Sequence, residues 1–302
     1  MKNRFWLGFW RLADPKISLA SFASMFLGAC AAAAETRLSY LWLAVTVLGI
    51  FAIEIAKNAS GEIFDFNSGN DQAVREEDRS PFSGGKRVLM DNLLTRSQTA
   101  GIAILFYVIG GLAGLAIVFW REPSILWLGM AGMALAFFYH APPFKFSYRG
   151  LGELAVAASY GPIICLGTYL VQRGTNSYEV IVVSVLLGIL IALFLFINEF
   201  PDYHADKTAD KKTIVVRLGR KSASMLFVVT LAITFFILAV LPIFGFPISI
   251  LLGLIGAVPA YRSARQLLRH PETVSEIIPA QANSLLAFLL FAVGTGLGFL
   301  FS

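Results

Sequence analysis

Nine stretches of this chain are apolar for long enough, or nearly long enough, to cross the roughly 30 Å hydrocarbon layer of a bilayer. They cover approximately residues 17–34, 38–57, 99–120, 124–140, 151–171, 178–198, 222–243, 245–261 and 281–301. The expected fold is therefore all-α: a polytopic membrane protein with about nine transmembrane helices in one bundle, forming a single domain over 1–302. The fourth and eighth stretches are the shortest, and Pro162 is expected to kink the fifth without ending it. Composition agrees. Charged residues make up 14% of the chain and hydrophobic ones 57%, whereas a soluble domain carries about 25% charged residues. Lipid must replace water around much of such a chain.

The 24 Lys and Arg residues fix a sidedness. With nine spans, all of them except Arg37, Arg121 and Arg173 fall on the N-terminal side. The bias predicts a multi-pass protein of the inner (cytoplasmic) membrane with a cytoplasmic N-terminus. The formal charge of +5 is spread over short connections and gives no nucleic-acid footprint. Residues 1–16, basic and rich in Phe and Trp, read as an interfacial segment. Cys30 and Cys165 lie inside apolar stretches and read as buried spectator thiols.

On the N-terminal side, two long connections begin where spans end. In the first, Asn58, Glu62 and Asp65 stand at i, i+4 and i+7, one helix face if the second helix continues that far, with Asp71 beyond. In the second, Asn198, Asp202 and Asp206 fall at i, i+4 and i+8, with Pro201 between them. Acids projecting from two helix ends repel each other unless cations lie between them. Oxygen-only ligands of this kind suit Mg²⁺, which takes a few carboxylates plus water and phosphate oxygens. Bases accompany the acids: Arg79 and Lys86 after the first motif, Lys211 after the second, and Lys145 and Arg149 in a short proline-stiffened loop. Divalent cations and charged donors together are what a diphosphate requires. Gly84-Gly85-Lys86 is not a phosphate-binding P-loop, because its spacing is wrong.

These motifs resemble the UbiA superfamily of intramembrane prenyltransferases over nearly the whole chain. Asn198-x-x-x-Asp202-x-x-x-Asp206, followed by Lys211-x-Thr213, looks like that family's second aspartate-rich signature. Tyr139-His-Ala-Pro-Pro143 running into Lys145 and Arg149 is similar to its middle loop. The first motif departs from the usual pattern by carrying Glu62 and a displaced Asp71. The words around Arg79–Leu89 lean toward the dihydroxynaphthoate branch of menaquinone synthesis.

The resemblance implies a cytoplasmic active-site cap built from connections 58–98, 141–150 and 199–221, and Mg²⁺-dependent transfer of an isoprenoid chain from a prenyl diphosphate to an acceptor, an aromatic one on this reading, with release of pyrophosphate. Asn58, Glu62, Asp65, Asp71, Asn198, Asp202 and Asp206 would hold the metal. Lys145, Arg149, Lys211, Arg79 and Lys86 would hold the diphosphate. Asp65, Asp202, Asp206, Lys145 and Arg149 form the catalytic set, and Tyr139, Tyr148 and Tyr203 would shield the allylic cation. The isoprenoid tail would leave sideways into membrane lipid. His140 reads as a structural histidine at a helix end, and Asp210 as solvent-exposed. The competing classes are a transporter, a phosphatidyl transferase and a non-catalytic prenyl-lipid-binding relative.

Overall fold

A computed structural model describes residues 2–302, and its elements are helical; among the described residues the sole β feature is an isolated bridge between Ser80 and Ser83. The chain enters through α1 (Lys2–Ala13), a surface helix. Its 5-9-12 face turns Phe5, Phe9 and Leu12 onto Ala59, Val88 and Ile102, while Trp6 and Trp10 stay exposed. Then follow α2 (Ser18–Glu35), α3 (Tyr40–Ser68), the short α4 (Asn70–Ala73), α5 (Arg96–Trp120) and α6 (Ile125–Phe138). A capping box between Thr95 and Gln98 starts α5.

The fifth rod is composite: α7 (Gly152–Ala158), a π-helical stretch (Ser159–Leu166) and α8 (Gly167–Arg173). Pro162 lies in the π stretch, which absorbs the hydrogen bond that a proline cannot donate. The remaining helices are α9 (Tyr178–Thr208), α10 (Ile214–Leu218), α11 (Arg220–Val240), α12 (Ala257–Arg269) and α13 (Val274–Leu300).

Seven of these rods are long and apolar enough to span a bilayer. The expectation of about nine counted two shorter pieces. The fourth is the 14-residue α6, about 21 Å long at 1.5 Å per residue. The eighth is not an α-helical span: Ile248–Gly256 is a 3-10 segment that leads into the polar α12. Close contact with α13 accompanies that geometry. A Cβ added to Gly256 would stand 2.5 Å from the Ala287 carbonyl oxygen, and one on Gly298 would stand 2.7 Å from the Ile250 Cα. Glycine lets the two backbones touch without a side chain between them.

The core sits around α9, whose span is apolar on every face and buried over most of its length, from Val180 and Val183 through Leu187, Leu190 and Ile191 to Ile197 and Phe200, with Ile181 and Val185 exposed near its start. Outward-facing Leu105, Phe119, Trp127, Phe236 and Ile243 are exposed, as lipid-facing residues should be. The polar contacts separate to two ends. At one end Arg121 donates to the carbonyls of Val171 and Gln172, and Arg173 pairs with Glu35. At the other end Lys86 reaches Asp14, Arg11 reaches Asp91, Lys212 N–H donates to the Tyr148 carbonyl, and Arg220 donates to the Glu272 carbonyl. The N-terminal helix and four connections thus gather at one face of the bundle.

Candidate active site

Both acidic rows ride on continuous helices at that gathered face. α3 runs on to Ser68, so Asn58, Glu62 and Asp65 do share a helix, and α9 runs on to Thr208, carrying Asn198, Asp202 and Asp206 past Pro201 without a break. The rows meet through a short chain of contacts. Asp65 accepts a hydrogen bond from the Tyr148 hydroxyl at 2.7 Å. Lys211 Nζ lies 5.7 Å from the centre of the Tyr148 ring and 3.3 Å from Asp206 Oδ1. Tyr148 also bonds Ser68 at 2.6 Å, which ties the 141–150 loop to the end of α3.

The 69–95 connection closes over this cleft. Asp71 is 1% exposed, and Gly85, at φ +75°, passes so close that a Cβ there would lie 2.6 Å from Asp71 Oδ1. The backbone of Gly84 is directed at Asp202. These two glycines, with left-handed backbones, bring the loop backbone close to Asp71 and to Asp202 of the α9 row. Burial, with Asp65 and Glu62 nearby, pushes the Asp71 carboxyl up to about 7, against the pull of Lys211 and Arg87. Burial alone would lower Lys211, but Asp206, Asp65 and Asp202 outweigh it and hold the group above its ordinary value, as an ammonium.

Several buried oxygens here lack any partner: Asp71 Oδ2, Asn198 Oδ1, Asp202 Oδ1 and Asp206 Oδ2. Leaving such atoms unsatisfied is costly, and all belong to hard oxygen donors. Among the described residues no three acids, histidines or cysteines converge on one point. That donor set fits a cation that completes its shell with water and phosphate oxygens and does not fit a closed protein cage.

Other predicted residues have partners of their own. Glu62 accepts from the Leu89 backbone at 2.7 Å, and Asn58 donates to the Leu12 carbonyl at 2.9 Å. Lys145 Nζ lies over the Tyr148 ring at 5.5 Å. Lys86 is paired with Asp14 at 2.5 Å, Arg79 faces Glu76 at 3.8 Å, and Arg149 is exposed. Tyr203 packs against Arg220 at 5.0 Å and lines a second cleft that includes Lys221 and Glu272. His140 stands 3.5 Å from Asp65, and burial lowers it to about 4, leaving a neutral ring. Asp210 forms only an exposed pair with Lys212.

Below the cleft opens an apolar chamber of about 430 Å³ between α3, α5, α6 and the α7–α8 rod, with Tyr139 and Lys57 at its polar end and Thr46 and Val118 farther along. Three groups went unassigned at the level of sequence. Glu153 and Glu199 are both buried, each with an unpartnered oxygen. Glu54, an acid inside an apolar helix, accepts from Tyr160 at 2.9 Å. The signal for Glu54 was present, because ionisable groups within a span are rare and usually functional.

A polytopic helical bundle with an acid-lined cap over an apolar chamber is the architecture of an intramembrane enzyme acting on an amphiphile. The UbiA prenyltransferase family profile matches residues 21–285, and the chain belongs to that family. The chain is 30% identical over 198 residues to a 2-carboxy-1,4-naphthoquinone phytyltransferase of Synechocystis, covering 65% of this chain and 61% of that one. It is 24% identical to a 1,4-dihydroxy-2-naphthoate octaprenyltransferase of Bacillus subtilis, covering 93% and 90% of the two chains. Among solved structures it resembles a UbiA homolog from Archaeoglobus fulgidus bound to GPP and Mg²⁺, with TM-score 0.63, 14% identity, and coverage of 95% and 99%.

Proposed function

We propose that this protein transfers an isoprenoid chain from a prenyl diphosphate to a carboxylated dihydroxyaromatic acceptor of the naphthoate type, releasing pyrophosphate, at the cytoplasmic face of the inner membrane. The observation that carries this reading is the linkage of two acidic rows, through Tyr148 and Lys211, directly above an apolar chamber. The relatives named for naphthoate prenylation support the acceptor class, and the GPP- and Mg²⁺-bound homolog supports the donor and the metal.

Asp65, Asp71, Asn198, Asp202 and Asp206 would hold Mg²⁺, with Asn58 and Glu62 behind them, bonded to backbone. Bound Mg²⁺ would supply charge to the diphosphate oxygens as they become a leaving group. Lys211, already an ammonium between the rows, neutralises the remaining charge, with Lys145 beside it. Burial raises the Tyr139 and Tyr148 phenols, so both stay protonated and offer neutral rings to the allylic cation. The chamber carries the tail and keeps out water that would quench that cation.

The test is to incubate membranes holding the protein with labelled prenyl diphosphates of several lengths, Mg²⁺ and a panel of acceptors, and to identify lipid products by mass. A prenylated naphthoate-derived product with stoichiometric pyrophosphate is expected. Prenyl diphosphate binding without any product would point to the non-catalytic lipid-binding alternative.

A further inference from the structure

The chamber that would house the tail is not apolar throughout. At its cap-side end Glu54 and Lys57, at i and i+3 on α3, both line the wall, facing Tyr160 and Ser159 from the α7–α8 rod. Glu54 is 5% exposed. Its Oε1 accepts from the Tyr160 hydroxyl at 2.9 Å, while its Oε2, equally buried, has no partner. Lys57 packs its ammonium over the Tyr139 ring at 5.4 Å and, among the described residues, forms no ion pair. Two other lysines around the cleft are paired, Lys86 with Asp14 and Lys211 with Asp206, whereas Lys145, like Lys57, lies over a tyrosine ring.

An acid and a base that served only the fold would be expected to pair with each other. A buried charge is tolerated when a partner repays its desolvation, and breaking such a pair is strongly destabilising. Here the two groups share a wall without meeting, and a free carboxylate oxygen is left beside the cavity. A hydrocarbon tail gains nothing from either. A flat ring carrying both a carboxylate and hydroxyls matches both. Tyr139, which lines the chamber and anchors the 141–150 loop by accepting from Ser147, sets this end next to the cleft that holds Asp65 and Lys211.

We propose that Lys57, Glu54 and Tyr160 form the seat for the acceptor ring, with Lys57 pairing to its carboxylate and Glu54 Oε2 accepting from a ring hydroxyl. The proposal deepens the prenyl-transfer reading and rests on it for the identity of the acceptor. It makes Lys57 and Glu54 residues that determine acceptor specificity, while the acidic rows determine donor binding.

The experiment measures equilibrium binding by the full-length protein in lipid nanodiscs, with three probes: 1,4-dihydroxy-2-naphthoate, its decarboxylated counterpart 1,4-dihydroxynaphthalene, and geranyl diphosphate with Mg²⁺. Loss of one charge-assisted contact should weaken naphthoate binding by about tenfold or more in Lys57→Met, with dihydroxynaphthalene and geranyl diphosphate affected by less than about twofold. Lys57→Arg should recover naphthoate binding, and Glu54→Gln should weaken both aromatics and spare geranyl diphosphate. Equal loss for both aromatics in Lys57→Met, an effect confined to geranyl diphosphate, or no effect on any probe overturns the proposal, as does wild-type protein that binds neither aromatic. Thermal unfolding of each variant confirms that it is folded. If Lys57→Met does not fold, the Glu54→Gln and Lys57→Arg responses decide. Turnover measured alongside separates the two ideas. Lys57-dependent naphthoate binding with no product sinks the transfer reading alone, whereas product formation indifferent to Lys57 sinks the seat alone.

Discussion

Asp202 and Tyr148 show how differently two residues of one cleft should respond to substitution. Asp202 has a buried oxygen with no protein partner, so Asp202→Asn changes charge where a cation is expected and little in the packing. Its kcat/KM in Mg²⁺ should drop by about 100- to 1,000-fold, the size of one electrostatic contact in a transition state, with helical circular dichroism unchanged. Tyr148 joins Asp65 and Ser68, and Tyr148→Phe forfeits a hydrogen bond to a charged group, worth about 1.5–3 kcal/mol. Turnover assays of that variant should show a loss of about ten- to a hundredfold. Asp71 adds a dependence on pH. Its carboxyl, pushed up to about 7, holds a proton in the folded state from the ordinary carboxylate value up to about pH 7, where the unfolded chain has lost it. Without metal, stability therefore falls as pH rises through that window. Chelator-treated protein should melt lower at pH 8 than at pH 6, and excess Mg²⁺ should cancel the difference. The two acidic rows were readable from spacing alone, since i, i+4 periodicity survives in any helix. The pairing of Lys86 with Asp14 and the packing of Tyr203 against Arg220 were not, because they depend on contacts farther away in sequence.

Helices in this bundle approach one another through glycine, and that fixes which substitutions matter. Gly188 on α9 lies against the π stretch: a Cβ there would stand 3.0 Å from the Gly161 Cα and press on the Ala157 carbonyl. Gly188→Ala should cost about 1–3 kcal/mol through forced separation of the helices, seen as a lower melting temperature in detergent. Gly101 on α5 has nothing within 4 Å of an added Cβ, so Gly101→Ala should be neutral, or stabilising by about 0.5–1 kcal/mol through reduced backbone freedom. The long apolar rods were legible because twenty apolar residues in a row leave few alternatives. The 3-10 segment at Ile248–Gly256 was not. Hydropathy reads it as a span, while its geometry comes with a glycine contact to α13 that no local signal announces.

For the molecule as a whole, binding at the cleft should couple to global stability. A ligand held only by the folded state stabilises it by about 2.7 kcal/mol at a hundred times its Kd. Mg²⁺ with pyrophosphate should therefore raise the melting temperature of the purified protein by several degrees, and Asp202→Asn should abolish that rise in the same scan. The gathering of four connections and α1 at one face was foreshadowed by the distribution of basic residues, whereas the chamber left no trace in the sequence, because a void is defined by what several distant helices fail to fill. That void has an adjustable boundary. Gly111, Gly114 and Gly129 line its wall, and side chains added at Gly114 or Gly129 would meet no neighbour within 4 Å. Each is in effect an empty peg-hole on a gauge: inserting a leucine at one of them would shorten the hydrocarbon that fits while leaving the acids above untouched. On the prenyl-transfer reading, single side chains on this wall would set how long a tail the protein accommodates, independently of the acids that hold the diphosphate.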